Sequence, residues 1–198
     1  MHKLSTSFVL GYHGCDRTVG EAILAGEAFR PSENEYDWLG GGVYFWEANP
    51  QRALDFVQEV NARRTGAGAP SIDPMVVGAV IDLGLCLDLM TTGGLKSLAA
   101  VYRGFKSVVE TAGVPMPRNH GGPDQLLRKL DCAVINFLHT ARIEAGQPAV
   151  DTVRGVFIEG ERIYEDAGFR EKTHIQICVR NLDCIKGVFR VSPSALAS

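Results

Sequence analysis

The feature that most constrains this chain is where its strand-like runs fall. Short apolar runs, FVLGYH at 8–13 and VYFWE at 43–47, stand near the start. MVVGAVIDL and LCLDL lie on either side of Gly84, and GVFI, THIQICV and CIKGVFRV come near the end. From about residue 91 to 150 the apolar residues recur instead at helical spacing. Strands at both ends with a helical block between them predict an α+β domain whose strands are mostly antiparallel. At 198 residues the chain is most simply one domain, 1–198, with 91–150 as a helical insertion.

Local signals fix several helix ends. Thr18-x-x-Glu21 has the form of a capping box and Gly26 that of a C-terminal cap, predicting a helix over Val19–Ala25. Asn49-Pro50 pairs an N-cap with proline at the first helical position. In the helix that follows, Ala53, Phe56, Val57 and Val60 recur on one side, and Arg63-Arg64 lies near the negative end. Two further helices are expected at about Leu95–Thr111 and Asp124–Ala145. TTGGLKS at 91–97 lacks the spacing of a phosphate loop and reads as a glycine-rich helix entrance. In the polar loop EAFRPSENEYDWLGGG, glycines 40–42 permit close backbone approach.

A net charge of −3 supplies no global basic field for a polyanion. The five cysteines are odd in number and show no C-x-x-C spacing, and Cys86, Cys132 and Cys178 lie in apolar runs. Free buried thiols in a reducing, cytoplasmic setting are expected, with no structural zinc. His120 and His139 with Asp124 match no zinc spacing, so no metal is expected. MHKLSTSFVL has no long apolar core and nowhere do eighteen apolar residues run together, so neither a leader nor a membrane span is expected.

Alternation sorts the polar residues of the strands. Ile175, Ile177 and Val179 share one face, and His174, Gln176 and Cys178 the other, which suggests a polar cleft or a solvated face. Val43 and Phe45 oppose Tyr44 and Trp46, and His13 points with Val9 and Gly11, away from Phe8, Leu10 and Tyr12. Three distant strands thus each place a hydrogen-bonding residue opposite an apolar face: His13, Tyr44 and Gln176.

YHG and GGVYF, about thirty residues apart with a short helix between, resemble the His and Tyr motifs of the diphtheria-toxin and poly(ADP-ribose)-polymerase class of ADP-ribosyltransferases. The resemblance covers the motif-bearing segments, about half of the chain, and leaves 91–150 unmatched. It implies a split antiparallel β-sheet core that binds NAD⁺ as substrate and transfers ADP-ribose to an acceptor. By resemblance, His13 binds the adenosine ribose and the Gly14 backbone the carboxamide. Tyr44 stacks on nicotinamide, with Phe56 as a second wall if it is not core. Gln176 stands where the family usually has Glu and would fix the reacting ribose, and Glu171 is the alternative source of a carboxylate. Gln brings a hydrogen bond without charge, which favours a single transfer over chain elongation. The loop Glu27–Gly42 would lie on the donor side and Glu159–Lys172 on the acceptor side.

Such a protein would be a bacterial toxin, effector or defence protein, with an antitoxin or immunity partner. Its acceptor is open: protein, nucleic acid or small molecule. Two rivals remain at this level. One is an inactive module binding NAD⁺ or ADP-ribose; the other is an RNA 2′-phosphotransferase-like enzyme, which would want a groove richer in Arg and Lys.

Overall fold

The computed structural model describes residues 8–196; the leader reading of residues 1–7 lies outside them. The first half runs β1 (Phe8–Asp16), α1 (Arg17–Leu24), β2 (Val43–Glu47), α2 (Pro50–Gly66), β3 (Pro74–Asp82) and β4 (Cys86–Asp88). The second runs α3 (Thr92–Ala112), β5 (Asn119–His120), β6 (Leu127–Arg128), α4 (Lys129–Glu144), β7 (Thr152–Phe157), β8 (His174–Val179) and β9 (Ile185–Arg190). Seven strands form one sheet in the order β4-β7-β8-β2-β1-β3-β9. Every pair is antiparallel except β4–β7, so the domain is α+β with a mostly antiparallel sheet. The strands around Gly84 are consecutive in sequence but not neighbours. β3 lies inside one end of the sheet, and β4 forms the opposite edge.

The helix ends follow local chemistry, with two corrections. Asn49 Oδ1 accepts from the Arg52 backbone N–H at 3.0 Å with Pro50 at the first position, and Thr91 Oγ1 caps Gly94 at 3.0 Å. The first correction concerns α1, whose cap is Asp16 rather than Thr18. The Asp16 carboxylate accepts from the Thr18 backbone N–H at 2.9 Å and from its hydroxyl at 2.6 Å, so the helix starts earlier. The second concerns α4, which starts at Lys129 and not at Asp124. Gly121, Gly122 and Gln125 all adopt positive φ there, turning the chain into the short β5–β6 ladder instead. Asp124 is drawn away, its carboxylate accepting from the Gly160 N–H at 3.0 Å.

The sheet is nearly cut in two. β1 and β3 stay in register over nine residue pairs, but β1 and β2 pair only at Gly11–Glu47 and Tyr12–Trp46. Beyond those pairs the strands part. On one face, Val43, Phe45, Val77, Ile81, Ile177 and Val179 form a continuous core with α1 and Phe29. On the other face the layer is divided. α2 packs over the β1–β3 half through Ala53, Trp46 and Val76, and α4 over the β7–β8 half through Ile135, Leu138, Val153 and Cys178.

The face holding His13 corrects the sequence reading. The side shared by Val9, Gly11, His13 and Cys15 is the core side, while Phe8 and Leu10 are exposed. Gly11 has no room for a side chain: a Cβ would lie 2.6 Å from Ile81 Cδ1 and 2.8 Å from Phe45 Cβ.

His139 on α4 is buried with neither ring nitrogen hydrogen-bonded. Burial, helped by the charges of Arg180 and Arg142, pulls its pKa down to about 3. A folded-state pKa below the unfolded value of about 6.5 gives stability that is complete above pH 6.5 and lost as pH falls toward 3. His139→Leu should therefore raise stability at pH 7 by about 1–2 kcal/mol and flatten the acid limb, as measured by urea denaturation across pH.

Candidate functional site

Where β1 and β2 part, a cleft of about 790 Å³ opens. It lies between α2, the 30–38 loop and the 121–127 segment, and its floor carries Tyr44, Trp46, Gln176, His174 and Phe157. The register explains that floor: Tyr44 stands opposite Cys178, Trp46 opposite Gln176 and Phe157 opposite His174. Directly paired residues share a face, so β2, β7 and β8 present one row of side chains to the cleft.

His13 enters from the other face through the breach. Its ring packs edge-on against Phe29, with centroids 5.4 Å apart, and tilted against Phe45 at 5.7 Å. Its Nδ1 lies 2.9 Å from the Tyr44 carbonyl oxygen. A carbonyl only accepts, so Nδ1 carries the proton and the neutral ring keeps an unprotonated Nε2. Burial lowers the His13 pKa, against the opposing effect of that hydrogen bond, which favours this neutral form.

The Tyr44 hydroxyl donates to the Gly40 carbonyl at 2.8 Å and accepts from the Leu39 N–H at 2.9 Å, anchoring the loop to the strand. Burial holds its pKa well above 10, so the phenol works as a fixed neutral ring and not as a base. The loop is closed at its base by Ser32 and Gly42, which exchange backbone hydrogen bonds of 2.8 and 2.9 Å. Gly42, at φ 156°, sits against β8, where a Cβ would lie 2.5 Å from Cys178 Sγ.

Gln176 lines the cleft, and its Oε1 accepts from Trp38 Nε1 at 2.6 Å. Trp38 reaches it by lying over Gly155, where a Cβ would come within 2.9 Å of the indole. Arg128 covers Trp38 and Phe157, its guanidinium carbon 5.2 and 4.0 Å from their ring centroids. With Oε1 engaged, the Gln176 amide is left to donate.

The other sequence-chosen residues divide. Phe56 lines the cleft, its ring 4.8 Å from that of Trp46. Gly14 lines it too, but packing already accounts for a glycine there, because a Cβ would lie 2.3 Å from the Ala53 carbonyl oxygen of α2. Glu171 is exposed and does not line the cleft, so of the two third-motif candidates Gln176 is the one the cleft holds. Among the described residues no group of three or more His, Cys, Asp or Glu is arranged to hold a metal, and no helix is long and apolar enough to cross a membrane. All five cysteines are buried and free, with burial raising every thiol, Cys178 to about 12, so none is a ready nucleophile.

One wall escaped the sequence reading. Arg52, 6% exposed, donates to Glu159 at 3.1 Å and to Glu59 at 3.5 Å. Lys172 joins Glu59 at 3.0 Å. A signal was present: Arg52 lies in the first turn of α2, where the helix dipole disfavours a cation and no local acid offsets it. Beside this network His174 is buried, its Nδ1 2.6 Å from the Lys172 carbonyl oxygen. That contact again fixes the proton on Nδ1, and burial lowers the pKa.

No family model matches the chain, and no solved structure matches it. An uncharacterized protein of Methanocaldococcus jannaschii is 44% identical over 36 residues, which are 18% of this chain and 17% of that protein.

Two substitutions test the wall. Arg52→Met should lower stability by about 3 kcal/mol in urea denaturation, because it takes the cation from Glu159 and leaves Glu59 with Lys172 alone. Gly14→Ala should cost about 2 kcal/mol by forcing α2 off β1.

Proposed function

We propose that this protein is an NAD⁺-dependent mono-ADP-ribosyltransferase. The observation that carries the reading is a neutral His13 held in the gap between parted strands, on a cleft whose floor also carries Tyr44 and Gln176. The parting of β1 from β2 and the cleft that opens beside it support the reading, since the resemblance implies a split antiparallel sheet with a cleft for NAD⁺.

Cleavage of the nicotinamide–ribose bond passes through an oxocarbenium-like ribose, close in kind to glycoside cleavage. It requires fixed riboses, an aromatic wall for the leaving ring and a cleft that limits water. In this reading His13 binds the adenosine ribose and Tyr44 stacks on nicotinamide, its ring immobilised through the hydroxyl. Such a stack adds about 0.5–1.5 kcal/mol beyond area burial. Gln176 donates its amide N–H to the reacting ribose. Arg30 and Arg63 line the cleft, neither in an ion pair among the described residues, and supply charge for the pyrophosphate. The cleft carboxylates Glu59 and Glu159 are held by cations, which fits a single transfer better than chain elongation.

Purified protein with labelled NAD⁺ and cell lysate should release nicotinamide and place label in one acceptor fraction. His13→Ala and Gln176→Ala should each slow release about 100-fold. NAD⁺ binding without release, across lysates of several sources, would instead support a binding module.

A further inference from the structure

Several polar side-chain atoms are buried without any partner, and three of them belong to residues where the floor of the cleft meets its α2 wall: His174 Nε2, Trp46 Nε1 and Arg52 Nε. Their residues are 6%, 3% and 6% exposed. The other orphans, on Gln51 and His139, belong to residues that do not line it. An unpaired buried polar atom is destabilising and rare in folded proteins, so three at one wall require an explanation. Their chemistry is specific. With Nδ1 of His174 donating to the Lys172 carbonyl, Nε2 is an acceptor, whereas the indole and guanidinium N–H groups are donors. One acceptor and two donors complement a hydroxyl, which has one hydrogen to give and two lone pairs to fill.

The wall also adjoins the reacting end of the cleft. His174 and Gln176 share a face of β8 two residues apart, about 7 Å along the strand. The ring of His174 is held by stacking on Phe157, with centroids 5.7 Å apart and planes 15° from parallel, and by Trp46 at 6.1 Å. Other bases on the cleft are committed: Glu159 and Glu59 to Arg52, Glu59 also to Lys172, and Asp37 to the Asn34 N–H at 2.9 Å. His13 is assigned to the donor.

We propose that this wall is the acceptor subsite, that the acceptor is a hydroxyl, and that His174 is its general base. The inference rests on the transferase reading above. In the step, the acceptor oxygen bonds to C1′ of the nicotinamide ribose as the C1′–N bond breaks. The electron pair of that bond leaves on nicotinamide, and the hydroxyl proton passes to His174 Nε2, to be given up to water when the products leave the cleft. The charged groups near His174 are Arg52 and Glu59 of α2, Glu159 beyond β7 and Lys172 before β8. Burial, with the Arg52 charge, favours the neutral ring that the step needs, against the Lys172 carbonyl and the two carboxylates.

The test compares nucleophiles that do and do not need a base. Nicotinamide release from NAD⁺ is measured with methanol as the hydroxyl probe and with azide, which attacks without losing a proton. His174→Ala should lose about 100-fold or more with methanol and recover to near the wild-type rate with azide. His174→Gln, which keeps a polar acceptor but no basicity, should behave alike, and His13→Ala should be rescued by neither probe. Wild-type rates with methanol in both His174 variants would overturn the proposal. So would failure of azide to rescue variants that are folded by circular dichroism and still bind NAD⁺ by calorimetry. No release by the wild type with either probe would remove the transferase reading itself, and this inference with it.

Discussion

The architecture of the cleft depends on the parting of β1 from β2 after two residue pairs. Had the ladder continued, the Tyr44 carbonyl would have paired with a backbone N–H of β1. It receives instead the Nδ1–H of His13, so one side-chain hydrogen bond replaces a main-chain one and holds the gap open without leaving the carbonyl unsatisfied. Phe29, edge-on, and Phe45, tilted, fix the imidazole from the core side. The constraint carries over to the loop before β2, because the same Tyr44 anchors residues 39 and 40 through its hydroxyl.

The two cleft histidines are built alike. Each donates Nδ1–H to a backbone carbonyl, Tyr44 for His13 and Lys172 for His174, and burial lowers the pKa of each. Both imidazoles therefore present a neutral Nε2, while the carboxylates around them are tied to cations or backbone N–H groups. Glu59 and Glu159 are thus offset by cations, while each imidazole keeps one ring nitrogen free to accept.

Much of the fold was legible in the sequence because it rests on local chemistry. The Asn49-Pro50 cap, the Thr91 entrance to α3, the VYFWE strand and the alternation of β8 depend on residues within a few positions of one another. The start of α4 was not, since positive φ at Gln125 and the tether from Asp124 to Gly160 are tertiary features. His13 was legible as a hydrogen-bonding residue of a strand expected to end there, whereas β1 runs on to Asp16, and which side of β1 is core depends on Ile81 and Phe45 closing over Gly11. Alternation placed Gln176 and His174 on one face of β8 but left that face either a polar cleft or a solvated one, since what covers it comes from α2 and the 30–38 loop. The Arg52–Glu159 wall joins positions 107 residues apart, and only the misplaced cation in the first helical turn hinted at it.

The sheet order has a kinetic meaning as well as a geometric one. The floor of the cleft needs β8, Val43 pairing with Val179 and Trp46 with Gln176, so its two halves are synthesised more than a hundred residues apart. Contacts of that separation form late and slowly. While the chain is being made, β1, α1, β2, α2 and β3 can assemble around their own core with His13 already in place. No complete cleft exists until residues 174–179 have left the ribosome. A half-made chain thus carries His13 but lacks the β8 side of the cleft that it borders.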